Sequence, residues 1–153
     1  MTKNNNKDLT LSVDDFYLNI RVAIIAKTKN GFILEKKKTS EYYFLIGGRI
    51  KIYESSLEAA KREFQEEIGL EIKEEDLEFK TLIENFFTYE VENIKTHELC
   101  FLYEIKNELE NIKLEENFIE CKLEEIKNIE IKPKILQDLL LKETLPNHVI
   151  TKN

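Results

Sequence analysis

The sequence predicts an α/β protein in which a mixed β-sheet lies between two helical layers, and three observations carry that prediction. Short alternating or apolar runs of strand length recur on both sides of residue 60, at 17–26, 32–35, 42–46, 77–89, 96–105 and 118–123. Between them, residues 55–69 carry one amphipathic helix with its start and stop signals. A second apolar stripe at helical spacing, Ile135, Leu136, Leu139 and Leu140, follows Pro133 and would cover the other face of the sheet. With 153 residues and no internal repeat, the chain is expected to form one domain, 13–153, behind a flexible tail at 1–12. A domain of that size buries roughly two thirds of its unfolded surface.

The elements follow in order. Met1 to Asp8 is rich in asparagine and lysine and has nothing to bury. Tyr17 to Ala26 alternates and then turns apolar through Ile20, Val22, Ile24 and Ile25, as a strand entering a core does. Lys29, Asn30 and Gly31 supply a tight turn, and Phe32 to Glu35 returns as the second strand of a hairpin, ending at the basic cluster Lys36 to Lys38. Tyr42 to Ile46 is read as a short strand that delivers the chain into a glycine loop. Ser55 and Glu58 form a capping box, which starts a helix near Ser56, and Gly69 is the expected left-handed residue past its end. At about 100° per residue, Leu57, Ala60, Phe64 and Ile68 fall within roughly 80° of one another, so this helix packs on the sheet. Leu77 to Tyr89 and Thr96 to Ile105 read as a strand and its return across a turn at Glu90 to Lys95. Phe118 to Leu123 is a further strand, Glu124 to Asn128 a turn, Pro133 to Lys142 the second helix, and His148 to Thr151 a short edge strand.

The chemistry concentrates in the first helix. Glu63, Glu66 and Glu67 span about 100° beside its apolar stripe, with Glu63 and Glu67 one turn apart. Like charges at that spacing repel, and carboxylates in a last turn sit at the negative end of the helix dipole. Something positive is therefore expected there, and clustered carboxylates are hard oxygen ligands suited to Mg²⁺ or Mn²⁺. An acidic run on a helix is usually only a solvated face. A solvated face, however, would need neither Gly47 and Gly48 ahead of Glu54 nor acids gathered at the C-terminal end.

Gly48, Glu54, Arg62, Glu63, Phe64, Glu66, Glu67, Gly69 and Leu70, at these spacings, resemble the Nudix box, the signature of hydrolases that cleave nucleoside diphosphates linked to another group. The departure is Ile46, where many members have proline before the two glycines. The resemblance implies that Glu63, Glu66 and Glu67 hold divalent metals, with Glu63 also a candidate general base. By the same resemblance Gly47 offers a backbone carbonyl to a metal, and Arg62 pairs with Glu54 to brace the loop against the helix. A further carboxylate from outside the box often completes such a site, and Glu98 is the candidate, on a strand able to face the box helix; its plainer reading is a surface acid. Arg21 reads either as a salt-bridge partner or as a phosphate clamp, since guanidinium forks match phosphate oxygens. With no tryptophan in the chain, Phe86, Phe87 and Tyr89 are the candidate base stackers, or else they fill the core. His97 reads as a hydrogen-bonding group near a strand end.

The implied activity is metal-assisted attack of water on a diphosphate phosphorus in a nucleoside di- or triphosphate or a nucleotide-sugar. No proline lies between Glu71 and Lys132, so the downstream proline that often accompanies ADP-ribose specificity is missing. Two other readings remain: a silent nucleotide-metabolite-binding domain with this box, and an acidic interaction module. A homodimer would suit the resemblance. The net charge of −7 argues against a broad nucleic-acid footprint and for a small phosphate substrate received through metal ions. With no apolar run of about 18 residues and no signal-peptide pattern, neither a membrane span nor secretion is expected, and the cytoplasm is the default. Cys100 and Cys121 are expected to be reduced thiols in or near the core.

Overall fold

The computed structural model describes residues 7–153. Its strands are β1 (Thr10–Val13), β2 (Phe16–Ile25), β3 (Lys27–Thr28), β4 (Gly31–Glu35), β5 (Ile46–Arg49), β6 (Leu77–Tyr89), β7 (Ile94–Ile105), β8 (Phe118–Cys121) and β9 (His148–Lys152). Its helices are α1 (Ser56–Ile68), α2 (Leu123–Ile126) and α3 (Lys134–Leu140). The main sheet runs β1-β2-β7-β6-β9 with β5 added against β2, and β3-β4-β8 form a second, antiparallel sheet. β2 and β7 are parallel, as are β6 and β9, while β6 and β7 make a long antiparallel hairpin, so the main sheet is mixed.

Both faces of the main sheet are covered, as the apolar run in β2 requires. Val22 and Ile24 pack with Ile46, Ala59, Ala60 and Phe64 on the α1 side. Ala23 and Ile25 pack with Leu136, Leu139 and Leu140 on the α3 side. This is the expected α/β/α sandwich. Among the described residues, no helix is long and apolar enough to cross a membrane. Cys100 and Cys121 are free and buried, and burial pushes the Cys100 thiol up to about 12.

α1 has the predicted bounds because its caps are closed at both ends. The Glu58 N–H donates to Ser55 Oγ at 3.2 Å, and the Ser55 N–H donates to Glu58 Oε2 at 2.8 Å. At the other end Gly69 takes φ 80° and returns its N–H to the Gln65 carbonyl at 2.9 Å. Ser55→Ala removes the side-chain cap and is expected to cost about 1 kcal/mol, read as a fall in the chemical-denaturation midpoint at unchanged slope.

The structure corrects several expectations. Residues 10–12, assigned to the tail, belong to β1 and pair with β2, and the Leu9 N–H bonds to the Ile50 carbonyl; residues 1–6 of that tail lie outside the described residues. Backbone pairing, which composition does not report, orders this segment although its side chains are largely exposed. The first strand leaves the main sheet after Ile25, so the hairpin at Gly31 belongs to the second sheet. Of Tyr42 to Phe44, only Tyr43 and Phe44 make isolated bridges, and the strand proper is Ile46–Arg49, which contains both glycines. Gly47, at φ 153°, has no room for a Cβ because one would run into the Val22 carbonyl. The glycines are therefore part of the sheet, not a loop ahead of the helix. The turn at 124–128 begins instead as one helical turn, α2, which buries Ile126.

Candidate active site

The C-terminal half of α1 lies against β5, and Arg62 ties the two together. Its Nε and Nη2 donate to the two oxygens of Glu54 at 2.6 and 2.9 Å, and Nη2 also donates to the Arg49 carbonyl at 3.1 Å. Glu54 in turn accepts from the Lys51 N–H at 2.8 Å. The fork braces the β5–α1 connection as the sequence suggested. Arg62 does more than brace: its Nη1 donates to Glu63 Oε1 at 2.6 Å and to Glu66 Oε2 at 3.3 Å. One cationic nitrogen thus stands between two of the three box carboxylates, and the guanidinium is held more firmly protonated by Glu54 and Glu63. Arg62→Lys keeps the charge but loses the fork. It is expected to cost about 1–3 kcal/mol in thermal unfolding, because Glu54 and the Arg49 carbonyl lose partners.

Glu67 takes a different partner. Its Oε2 accepts the Gly47 N–H at 3.0 Å, which lashes the last turn of the helix to the middle of β5. Burial pushes the Glu67 carboxyl up to about 7 against the pull of that hydrogen bond; Glu35 and Glu63 push it further, and Arg21 pulls it back. Glu35, the last residue of β4, thus acts on the box although nothing in its local pattern announced it. Gly48 explains the second glycine, since a Cβ there would land on the Glu63 carboxylate. Gly48→Ala is expected to displace Glu63 while sparing the fold, because the far end of a flexible side chain can yield; circular dichroism and turnover measured together check this.

Among the described residues, no three His, Cys, Asp or Glu side chains stand together as a ready cage for a metal ion. The donor set nonetheless suits a hard divalent cation. Glu63 and Glu66 already converge on one positive atom, and Glu67 is held beside the Glu35 and Glu63 charges in a partly desolvated position.

A family model described as the NUDIX domain matches residues 18–141. The chain belongs to the Nudix hydrolase family. Among solved structures it resembles the MutT protein from Bacillus halodurans at 21% identity and TM-score 0.64, over 83% of this chain and 85% of that one. It resembles MutT from Methanosarcina mazei Go1 at 19% identity and TM-score 0.61, over 84% and 94%. The Ap4A hydrolase of C. elegans matches at 20% identity and TM-score 0.54, over 80% and 93%. At these identities the likeness is one of fold. No curated protein matches the sequence.

Outside the Nudix box, the predicted residues divide. Glu98 does not face the box helix. It shares its side of β7 with Cys100 and Leu102, in the cluster under α3, whereas Tyr103 points toward α1 and bonds Ser56 Oγ at 2.8 Å. Strand alternation places 98 and 103 on opposite faces, a parity that sequence alone could not orient. Glu98 is 6% exposed and pairs with Arg21 at 3.9 Å. Arg21 shares that face and its charge also reaches Glu67, so it stands between the box and Glu98. Phe86, Phe87 and Tyr89 sit at the far end of the β6–β7 hairpin and contact other side chains. Phe86 stacks on His97 at 4.1 Å with Lys152 over its ring, and Phe87 meets Tyr89 edge-on at 5.1 Å. His97 Nε2 donates to Glu84 at 2.9 Å, a carboxylate that His148 also bonds. The aromatic ring that does line the cleft with Arg21 and Glu98 is Phe44. Its signal was the aromatic run Tyr42, Tyr43, Phe44, which reads locally as strand.

Proposed function

We propose that this Nudix domain is a divalent-metal-dependent hydrolase that cleaves a diphosphate bond in a nucleoside di- or triphosphate, or in a nucleoside diphosphate derivative, by attack of water on phosphorus. The observation that carries the reading is the convergence of Glu63 and Glu66 on a single cationic nitrogen, with Glu67 lashed to Gly47 beside them. In this reading Glu63, Glu66 and Glu67, with the backbone of Gly47, hold Mg²⁺ or Mn²⁺. Such an ion neutralises phosphate oxygens and lowers the pKa of a bound water. Arg62 would release Glu63 and Glu66 to such an ion while keeping its fork on Glu54. Glu63 accepts the proton of the attacking water. That role goes to Glu63 rather than Glu98, because Glu98 lies on the far face of β7 with Arg21. Arg21 offers its guanidinium to a phosphate on the side of the box away from α1.

The test is release of phosphate and pyrophosphate over nucleoside di- and triphosphates, nucleotide-sugars and dinucleoside polyphosphates with Mg²⁺ or Mn²⁺. Glu67→Gln runs alongside. Turnover that needs metal and disappears in the variant supports the hydrolase. Metal and nucleotide binding with no release across the panel would replace it with a silent nucleotide-binding domain.

A further inference from the structure

β2 leaves the main sheet after Ile25 and the chain continues as β3 in the second sheet, so the two sheets part there. α3 ends at Leu140, too early to close the gap. What remains is a hollow of about 250 Å³ walled by Ile25, Phe32, Leu139, Leu140 and Leu145 and open on one side. Leu123 of α2 and Leu141 stand at its rim, 52% and 47% exposed. The hollow is distinct from the small cleft near the box, because that cleft lies at the other end of α3, where Pro133 and Leu136 meet Arg21 and Glu98.

Apolar walls around such a volume suit an organic body. An engineered cavity of ~150 Å³ lined by Leu, Ile and Phe stays dry and takes benzene, and natural ligand pockets run from roughly 300 Å³ upward. Charge gathers at the mouth. Lys27 Nζ donates to Glu104 Oε1 at 2.7 Å and lies 5.1 Å from the centre of the Phe32 ring, while Lys80 pairs with Glu104 Oε2 at 3.3 Å. Glu104 therefore serves two cations, and Glu78 offers Lys80 only a longer contact of 3.7 Å. Burial pushes the Glu104 carboxyl up, yet Lys27 and Lys80 hold it below the ordinary value. Lys142, just past α3, has no carboxylate partner among the described residues. Three ammonium groups thus line the hollow against the carboxylates of Glu104 and Glu143, in a chain whose net charge is −7.

We propose that this hollow is a second binding site, which takes a small amphiphilic carboxylate: a short alkyl chain or an aryl ring inside, with the anionic head at the mouth. The apolar body displaces water from Ile25, Phe32 and the α3 leucines, and that burial drives binding. The head meets the Lys142 ammonium and the spare N–H donors of Lys27, since an ammonium has three and Glu104 takes one. An amine in the same place would set its charge against three lysines. A small inorganic anion would leave the apolar walls wet. The box acids play no part in this site, so it stands or falls apart from the hydrolase reading.

The test is calorimetric titration of the full chain, without divalent ions or nucleotide, by octanoate, octylamine and acetate, each kept below the concentration at which it self-associates. Octanoate is expected to saturate one site per chain at least about 100-fold tighter than acetate, which lacks the tail. It should also bind at least about 10-fold tighter than octylamine. Lys142→Glu reverses the charge at an exposed position and should weaken octanoate by about 3- to 10-fold while narrowing its lead over octylamine. Leu123→Glu, which sets a carboxylate at the rim, should weaken octanoate as well. Both changes lie on the surface, so the unliganded variants should melt like the wild type, and octanoate should raise the melting temperature of the wild type more than theirs. Octylamine binding as tightly as octanoate, or no saturable octanoate binding, overturns the proposal. So does an octanoate affinity that neither variant moves, which would put the ligand elsewhere on the molecule.

Discussion

Glu67→Gln is expected to lower metal-dependent phosphate or pyrophosphate release by about 10²–10³-fold or more, since one group of a charge-stabilising site is worth that much. The fold should survive, because Gln retains the oxygen that accepts the Gly47 N–H. The same variant has a stability signature whose sign follows from its titration. In the metal-free protein the Glu67 carboxyl sits at about 7, above the ordinary value of 4.5, so the folded state binds the proton more tightly than the unfolded state does. The stability this group contributes is full below about pH 4.5 and is lost as pH rises through about 7. Gln does not titrate and escapes that loss. In chelator, the melting temperature of the variant relative to wild type should therefore be higher at pH 8 than at pH 5, and Mg²⁺ should raise the wild type more than the variant. A melting difference that does not change with pH, together with full Mg²⁺-dependent turnover, would remove Glu67 from the site.

Phe64→Ala is expected to cost about 3–5 kcal/mol, the largest stability effect of any single side chain considered. Phe64 is 0% exposed and packs on the sheet side of α1 with Val22, Ile24, Ile46, Ala59 and Ala60. Truncating it leaves a cavity at the joint that aims the box carboxylates. For a chain of this length that cost is a fall in melting temperature of roughly 6–20 °C. Activity measured well below the new midpoint should also fall, since a small shift of α1 moves Glu63, Glu66 and Glu67 together. Phe64→Leu, which keeps most of the volume, should recover both in part; a variant that melts like wild type would show that α1 is not anchored there.

Residues whose role is written within one helix turn or one capping motif were legible in advance. The bounds of α1, the Ser55–Glu58 box and the left-handed Gly69 rest on interactions between near neighbours, which fixed spacing records, while the Arg62–Glu54 fork was implied by the resemblance to the Nudix box. Glu98 was placed on a strand able to face the box helix, with a surface acid as the plainer reading; it is buried on the α3 side, because alternation gives two faces without saying which one meets α1. Phe86, Phe87 and Tyr89 were candidate stackers, with core or edge packing the plainer reading, and in the structure Phe86 stacks on His97 while Phe87 meets Tyr89 edge-on. Glu35 was missed since its influence on Glu67 exists only once β4 lies beside β5.

By itself, the sequence determined the α/β class and the helix that presents the box acids, because each depends on local periodicity and capping, and its resemblance to the Nudix box pointed to the family; that both glycines lie within a strand emerged only in the fold. Tertiary structure alone decided that Arg62 would neutralise Glu63 and Glu66, that Glu67 would reach Gly47, and that Asn19, Glu98 and Asn85 would meet in one buried row. Asn19 lies far along the chain from Asn85 and Glu98, and only the parallel pairing of β2 with β7 brings it into register with the β6–β7 hairpin. Register is set by which faces find cover, and that is a property of the whole sheet.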